Sequence, residues 1–558
     1  MNAMEYPWRM RWVWLILLLA AAAVAWRLVH LNLTERSFLM RQGDARMERE
    51  VLIPAHRGMI LDRRGEPLAV SAPVVSLWAN PQVLGKDIAQ AKQVAQGLGL
   101  PEVAFLKRLE RLKNKEFMYL KRHVNPSEAA SFLAYDYPGV HGVEEFHRYY
   151  PAAEVATHLV GFNNVDDQGQ EGMELAYDAW LQGTSGKKVV QKDRTGRTVK
   201  DLKLLSNAQP GKDLNLSIDL RMQYAAYREL KAVVQQHQAS SGSAVVLDVQ
   251  TGEILAMVNQ PAYNPNNRSV MNIDSLRNRA LTDVLEPGST MKPLTIAAAL
   301  MSGQYGLDSE VDTSPGFVKV KRKTIRDHRN YGVLDITGII TKSSNVGVTK
   351  LALSLPDQSV RETFYSFGLG QATASGFPGE SSGILPSYPK WNPINLATMS
   401  YGYGIAVTPV QLAQAYGVFA SYGLKRPVSI LKQEKVPEAE RVMPEHLAKQ
   451  VVAMLETVTQ KGGTGTRARV PLYRVAGKTG TVHKPSKDGG YDDDVYAAVF
   501  AGMAPASKPR LVCVVIIDNP KGEQYYGGEV AAPVFSRIMT ESLRLLNVAP
   551  DNLLPSQG

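Results

Sequence analysis

The chain has 558 residues, of which 44% are hydrophobic and 21% are charged, so extensive disorder is excluded and about two to four domains are expected. Its formal net charge of +10 suits an anionic membrane, a polyanionic polymer or nucleic acid. Nucleic acid is set aside as a partner, because the densest basic run, residues 319–329, lacks interleaved aromatic residues and no nucleic-acid-binding module is recognisable. That run instead predicts an exposed strand. The one cysteine, Cys513, excludes an intrachain disulfide and does not decide the compartment.

The N-terminus carries an apolar segment that indicates a membrane anchor. Residues 12–26 are all apolar and would cover about 22 Å as a helix. Continuing the helix to Leu31 brings it near the length needed for a bilayer core of about 30 Å. A cleaved signal peptide is the alternative, since residues 23–25 (Ala-Val-Ala) fit a cleavage site, but the apolar run is long for one. We predict a leader at 1–8 and a single anchor at 9–31, with the remainder outside.

Beyond the anchor the sequence divides into two regions. A mixed region rich in turn signals is predicted to form a separate domain at 45–218. Residues 220–236 then have apolar positions at helical spacing, and residues 241–260 predict two strands joined by a turn at 249–252. Further strands and a closing helix follow near the C-terminus. We therefore predict one α/β domain at 219–548, whose two ends share a sheet, and a tail at 549–558.

The first segment that suggests chemistry is EPGSTMKP, residues 286–293. Ser289 and Lys292 are three residues apart, so on a helix they share one face. At a helix start, free N–H groups disfavour an ammonium ion and favour an oxyanion, so a neutral lysine could take the serine proton. Alone this pattern usually means a surface cap, and Pro293 leaves the helix start open.

Two further segments supply partners. An S-x-N pattern at residues 343–345 is only a common helix cap when it stands alone. The K-T-G-T at residues 478–481 looks like the end of a phosphate-binding loop, but Leu472 stands where such a loop needs a glycine. A strand is favoured instead, and Gly480 would let a substrate backbone approach it. Together the three segments provide a nucleophile, a base, a hydroxyl relay and a cationic anchor for a carboxylate.

With these three motifs in this order, the chain resembles the penicilloyl-serine transferases and, more closely, the class B penicillin-binding proteins of the division type. The segments 57–69, 148–161 and 169–183 match the non-catalytic pedestal of that class, and 278–293 and 400–416 match its transpeptidase domain. The resemblance implies an α/β (α+β) penicilloyl-serine transferase fold with helices packed on an antiparallel sheet. It also implies an elongated mixed pedestal of the dimerisation type and one N-terminal transmembrane helix before that domain.

The resemblance implies a reaction. Ser289 attacks the penultimate D-Ala of a stem pentapeptide, and the acyl group passes to an amine of a neighbouring strand to form a 4→3 crosslink. Lys292 is the general base, Ser343 relays a proton, and the backbone N–H groups of Ser289 and Thr481 form the oxyanion hole. β-Lactams acylate the same serine, and neither a metal nor a cofactor is required. The other implied site residues are Asn345 for the acyl chain, Lys478, Thr479 and Thr481 for the donor carboxylate, and Gly480, Tyr403, Tyr525, Tyr526 and Gly528 along the cleft, where a purely structural role for the tyrosines is equally open.

One position departs from the division-type pattern. A basic residue commonly stands two positions after K-T-G-T, and here His483 takes that place, followed by Lys484. On a strand, His483 and Thr481 point to the same side, so the histidine could extend the anion-binding face and be cationic mainly at acidic pH. The alternative, which we favour, is that His483 faces solvent and Lys484 supplies the charge.

Rival functions lack their own signatures. The deacylating E-x-x-L-N of a class A β-lactamase is absent, and a β-lactam sensor would need several membrane spans. A catalytically idle scaffold is disfavoured by the intact motifs, and a bifunctional synthase would need a glycosyltransferase domain. A specialised or elongation-type paralogue stays open. The implied partners are lipid-linked stem peptides, a SEDS-type glycosyltransferase and other divisome membrane proteins, at the bacterial inner membrane with the catalytic domain in the periplasm.

Overall fold

The computed structural model forms two compact units. Unit 1 comprises Met1–His56, Ala72–His147 and Gly183–Gly211, and unit 2 comprises Arg57–Ser71, Arg148–Gln182 and Lys212–Gly558. Two segments that the sequence assigns to the pedestal, Arg57–Ser71 and Arg148–Gln182, therefore cluster with unit 2. The structure describes residues 7–38, 40, 48–192, 198–269, 271–388, 391–486 and 489–553.

Strands and helices are numbered here along the chain. The strands are β1 (Glu48–Ile53), β2 (Ile60–Leu61), β3 (Pro67–Ala79), β4 (Met118–Val124), β5 (Val140–Tyr149), β6 (Gly186–Lys192), β7 (Thr198–Ser206), β8 (Leu214–Asn215), β9 (Ser241–Asp248), β10 (Ile254–Gln260), β11 (Glu310–Asp312), β12 (Phe317–Val320), β13 (Lys323–Arg326), β14 (Val333–Asp335), β15 (Leu424–Lys425), β16 (Glu440–Arg441), β17 (Ala476–Pro485), β18 (Tyr491–Ala504) and β19 (Leu511–Asp518). The helices are α1 (Pro7–Leu33), α2 (Pro81–Leu84), α3 (Ile88–Gly97), α4 (Glu102–Arg111), α5 (Pro126–Leu133), α6 (Thr157–Val160), α7 (Gly172–Ala176), α8 (Asp178–Leu181), α9 (Leu220–Gln236), α10 (Arg279–Thr282), α11 (Lys292–Met301), α12 (Ile336–Lys342), α13 (Asn345–Ser354), α14 (Ser359–Ser366), α15 (Pro393–Met399), α16 (Pro409–Ala420), α17 (Glu445–Thr459) and α18 (Gly527–Leu545).

Unit 1 combines the N-terminal helix with two small sheets. Within the described residues, Trp8–Leu33 of α1 is the one helix long and apolar enough to cross a membrane, with a mean hydropathy of 2.1 and its side chains outside any core. The antiparallel sheet β1–β6–β7 follows. Strand β4 pairs with the second half of β3, and helices α2–α5 supply a core that contains Leu77, Val94, Phe105 and Phe132.

Unit 2 is built on a five-stranded antiparallel sheet in the order β10–β9–β19–β18–β17. Strand β19 is buried along its apolar run because helices cover both faces of the sheet. Helices α9 and α18 cover one face, and α11, α16 and α17 lie in the core on the other. The prediction that strands from both ends of this region share one sheet is confirmed, as is the turn at 249–252 between β9 and β10.

A buried ion-pair network in unit 2 joins the three segments that resemble the family's pedestal motifs. Glu174 receives hydrogen bonds from Arg57 Nε at 2.8 Å and from Arg148 Nε at 2.6 Å. All three side chains are at most 1% exposed. Arg57 also pairs with Asp178 at 2.8 Å. Charges removed from water this completely need such paired, hydrogen-bonded partners.

The basic run was predicted as one exposed strand, and that prediction is wrong in detail. Residues 317–326 form a hairpin of two short strands, β12 and β13, because Lys321 turns the chain with φ of +50°. The carboxyl end of β13 leads directly into Asp327, which is half-buried between exposed neighbours. The hairpin thereby places the Asp327 carboxylate next to the S-x-N turn.

Candidate active site

Ser289 stands in a 3₁₀ turn, Gly288–Met291, that leads directly into α11. The sequence predicted the S-x-x-K pattern at the helix start, and the helix itself begins at Lys292, one turn later. Pro293 causes this, because proline is favoured at the first helical positions, where its missing N–H costs nothing. A hydrogen bond from α16 supports this turn, because the Tyr416 hydroxyl donates to Thr290 O at 2.8 Å.

The two motif lysines converge on one hydroxyl. Lys292 Nζ donates to Ser343 Oγ at 3.0 Å and to Ser343 O at 2.5 Å. Lys478 Nζ, from β17, donates to the same Ser343 Oγ at 2.9 Å and to Thr479 O at 3.2 Å. Both lysine side chains are fully buried. The structure therefore brings together residues that lie 51 and 135 positions apart in the chain.

Burial and mutual repulsion oppose the charging of both lysines. Burial lowers the pKa of Lys292 well below its ordinary value, the nearby Lys478 charge lowers it further, and Asp327 acts in the opposite direction. Burial lowers the pKa of Lys478 to about 7. A state with a neutral Lys292 and a cationic Lys478 therefore becomes accessible near neutral pH, whereas ordinary lysines are almost fully protonated there.

The S-x-N segment is a tight turn between two helices. Ser343 ends α12 in the left-handed conformation, with φ of +57°. Ser344 caps α13 by accepting the Gly347 N–H at 2.9 Å, and Asn345 is the first residue of that helix. A left-handed serine costs of order 1–3 kcal/mol unless its surroundings hold it. This turn points Ser343 Oγ at both lysines.

Strand β17 passes close to the serine turn, as the predicted strand for residues 478–481 requires. A Cβ on Gly480 would lie 3.1 Å from Pro287 O, and a Cβ on Gly288 would lie 2.6 Å from Val482. Glycine at both positions thus permits the backbone approach of the two segments. On the other side of β17, Thr481 Oγ1 accepts the N–H of Gly527 at 3.0 Å, so its own proton stays available to a ligand.

The hydrogen bonds among Lys292, Lys478 and Ser343 are compatible with acyl transfer. A neutral Lys292 uses its two N–H groups on Ser343 and retains a lone pair that can take a proton. Ser343 Oγ accepts from both lysines, so its O–H proton is free to be donated. In the described part of the chain no hydrogen bond joins the Ser289 hydroxyl to Lys292, so the proton transfer from serine needs a small movement or a bound substrate.

The predicted tyrosines lie in two aromatic groups. Tyr525 stacks on Tyr526 with ring centres 4.4 Å apart and on Tyr496 at 4.3 Å. Tyr403 makes an edge contact with Tyr491 at 5.3 Å. Gly528 packs at the start of α18, where a Cβ would lie 2.3 Å from Thr464 O.

His483 is half-buried and is not isolated in solvent. Its ring contacts Tyr496 at 4.6 Å, and its Nδ1 lies 3.1 Å from Asp492 O. Lys484 forms an ion pair with Asp518 at 2.8 Å. His483, rather than Lys484, therefore continues the side of the strand that carries Thr481.

Three residues at or near the site were not predicted as site residues from the sequence. Asp327 accepts hydrogen bonds from the S-x-N turn, and Tyr416 supports the serine turn. Glu286 accepts the Gly404 N–H at 2.7 Å and the Tyr491 hydroxyl at 3.1 Å, beside a cavity of about 320 Å³, and burial raises its pKa. Within the described residues, no three His, Cys, Asp or Glu side chains form a metal-binding group.

Comparisons with known proteins identify the family of the chain. A model of the penicillin binding protein transpeptidase domain matches residues 242–540, and one of the penicillin-binding protein dimerisation domain matches residues 52–216. The chain is 44% identical over 551 residues to the peptidoglycan D,D-transpeptidase FtsI of Escherichia coli (strain K12), covering 98% of this chain and 93% of the relative. It is 43% identical over 556 residues to the probable peptidoglycan D,D-transpeptidase PbpC of Pseudomonas aeruginosa, covering 100% of this chain and 98% of the relative.

A solved structure of a transpeptidase domain also matches the C-terminal part of the chain. The transpeptidase domain of Burkholderia pseudomallei penicillin-binding protein 3 matches with a TM-score of 0.56 and 43% identity, over 60% of this chain and 97% of that structure. The predicted fold class, with its transpeptidase domain and preceding pedestal, is confirmed. The chain belongs to the class B penicillin-binding proteins and is a β-lactam-binding transpeptidase with an N-terminal membrane anchor.

Proposed function

We propose that this chain is a peptidoglycan D,D-transpeptidase that crosslinks stem peptides during septal wall synthesis through an acyl-enzyme on Ser289. The observation that carries the proposal is the convergence of the buried Lys292 and Lys478 on Ser343 Oγ, next to the serine turn. A serine hydroxyl becomes a strong nucleophile when a base removes its proton, and burial favours the neutral, basic form of Lys292 by lowering its pKa well below the ordinary value.

In the first half-reaction, Ser289 Oγ attacks the carbonyl of the penultimate D-Ala while Lys292 Nζ takes its proton. The backbone N–H groups of Ser289 and Thr481 stabilise the oxyanion. The C–N bond to the last D-Ala then breaks, and the leaving amine receives a proton through Ser343 Oγ. Lys478 and the hydroxyls of Thr479 and Thr481 hold the terminal carboxylate, and Asn345 binds the acyl chain.

In the second half-reaction, an amine of a neighbouring stem peptide attacks the ester carbonyl. Lys292 takes the proton of this amine and returns it to Ser289 Oγ as the ester bond breaks. The tyrosines 403, 525 and 526, with Gly480, His483 and Gly528, line the donor side of the cleft in this proposal. A β-lactam follows the first half-reaction and stops there, because its ring-opened leaving group stays attached.

The setting of this reaction is also part of the proposal. The leader at 1–8 and the anchor at 9–31 place the pedestal (45–218), the transpeptidase domain (219–548) and the tail (549–558) in the periplasm. The proposed partners of the chain there are a SEDS-type glycosyltransferase and other divisome membrane proteins. Protease added to spheroplasts should digest the domains from outside, and complete protection would contradict this orientation.

Acylation tests the catalytic assignment. Incubation of the full-length protein with a penicillin should add one adduct mass, which intact-mass spectrometry detects, and Ser289→Ala should remove it. Lys292→Ala should fold normally and acylate about 10²–10⁴-fold more slowly, the usual loss for a positioned general base. An unchanged adduct on Ser289→Ala would refute the nucleophile.

A second candidate role is that of a specialised paralogue. The identity to PbpC, 43% over the whole chain, is nearly the same as the 44% to FtsI, so overall similarity does not favour either. Depletion in the native host separates the two roles. A septal enzyme predicts filamentous cells on depletion, whereas cells of normal length and growth rate would assign the septal role to another protein.

A further inference from the structure

Asp327 lies at the end of the β12–β13 hairpin and contacts the S-x-N turn with both carboxylate oxygens. Its Oδ1 accepts the N–H groups of Asn345 at 2.5 Å and of Val346 at 3.0 Å. Its Oδ2 accepts the hydroxyl of Ser344 at 2.6 Å. The carboxylate thus occupies the N-terminus of α13, where free N–H groups and the helix dipole favour a negative charge.

These contacts hold a turn that would otherwise relax. Ser344 donates to Asp327 and accepts from Gly347, so one hydroxyl links the carboxylate to the helix cap. The residue just before it is Ser343, in the left-handed conformation that places Oγ between the lysines. Asn345 is tied to the same hairpin, since its side-chain amide donates to Arg326 O at 3.0 Å.

The charge of Asp327 matters because its surroundings are cationic. The groups that face Lys292 are Lys478 from β17, Ser343 from the turn between α12 and α13, and Asp327 from the hairpin. Tyr416 of α16 reaches the serine turn but stays uncharged, since burial raises its pKa well above the ordinary value. Asp327 is the group that acts on Lys292 with a negative charge.

We propose that Asp327 is a positioning residue of this active site: its carboxylate holds the turn that carries Ser343, and its negative charge acts on the buried Lys292. The inference rests on the proposed acyl-transfer function and adds a residue outside the three motifs to it. Removing only the charge should therefore change the pH at which Lys292 serves as a base, in addition to the rate.

The test is the pH profile of penicillin acylation. Asp327→Asn keeps the shape and the oxygen that accepts the helix N–H groups, and it removes the charge. Loss of a nearby negative charge stabilises the neutral amine, so the acid-side midpoint of the second-order acylation rate should fall by about one pH unit. The rate at the optimum should fall about three- to tenfold, the usual effect of one lost hydrogen bond.

A matched control and a second variant separate the effect of charge from that of structure. Asp335 caps α12 by accepting the Gly338 N–H at 2.6 Å, and Gly338 is not a site residue. Asp335→Asn should therefore leave the acid-side midpoint of the acylation rate unchanged. Ser344→Ala removes the hydrogen bond to Asp327 but no charge, so it should slow acylation without moving the midpoint.

The pH profiles of these variants either support or overturn the proposed role of Asp327. Parallel profiles for Asp327→Asn and the wild type would overturn the proposal, because a purely structural role lowers the rate equally at every pH. If Asp327→Asn fails to fold, Ser344→Ala and Asp327→Glu are measured instead. Both keep the charge of Asp327 or its equivalent, so a fall of the acid-side midpoint in either variant would overturn the proposal. A wild-type protein that no penicillin acylates would instead refute the proposed function itself.

Discussion

Lys292 and Lys478 donate to one hydroxyl, so the protonation of each depends on the other. With both buried, two ammonium ions side by side are unfavourable, and the pair loses its protons in two coupled steps. The repulsion is mutual, so the loss of one proton helps the other lysine to keep its own, and in the proposed mechanism Lys292, whose pKa lies well below its ordinary value, deprotonates first and becomes the base. Lys478 keeps its proton to about pH 7 and can hold a carboxylate.

This ordering predicts a bell-shaped pH profile for acylation of the free enzyme. The rate should rise as Lys292 deprotonates, and it should decline as Lys478 loses its proton near pH 7, because both pKa values are lowered from the ordinary lysine value. The measurement is the second-order acylation rate from about pH 5 to about pH 9.5, a range that extends from below the lowered pKa of Lys478 to near that of an ordinary lysine.

Lys478→Arg provides the control for the alkaline limb. Arginine stays charged throughout this range, so the decline above pH 7 should disappear even if the maximum rate is lower. A wild-type rate that still climbs at about pH 9.5 would mean that Lys478 remains charged there, contrary to the lowered pKa.

At the scale of elements, the sequence predicted best the parts whose signal is local. Strand β17 was favoured once Leu472 excluded a phosphate-binding loop, and the β9–β10 hairpin and α9 follow from turn residues and helical spacing. The structure has all three. The helix after Ser289 was placed one turn too early, because the effect of Pro293 on its start was left open.

The elements that hold the turn were not predictable in the same way. Asp327 lies within the basic run that was predicted to be an exposed strand, and nothing nearby indicates that the chain reverses at Lys321. Its partners lie 17 to 19 residues later, at the start of α13. Sequence motifs mark the groups that react, whereas the groups that orient them depend on tertiary contacts between separate elements.

At the scale of the molecule, the segments outside the catalytic motifs also depend on tertiary contacts between separate elements. The three pedestal-like segments resemble the family without any apparent chemistry, and in unit 2 they meet through Arg57, Arg148 and Glu174. Arg57 and Glu174 are 117 residues apart. Since all three side chains are buried, each depends on the others for its hydrogen bonds, and the network ties distant parts of the chain to one unit.

Glu174→Gln is therefore expected to destabilise unit 2 by about 3–5 kcal/mol, because two buried guanidinium groups lose their shared counter-charge. Thermal unfolding and limited proteolysis should both register the loss, while the protein that remains folded should acylate at the wild-type rate. Glu110→Gln is the matched control, since its ion pair with Lys113 is exposed and should leave the unfolding midpoint unchanged. If Glu174→Gln unfolded at the wild-type temperature, Asp178 alone would suffice to balance Arg57, and the network would have to be regarded as dispensable for stability.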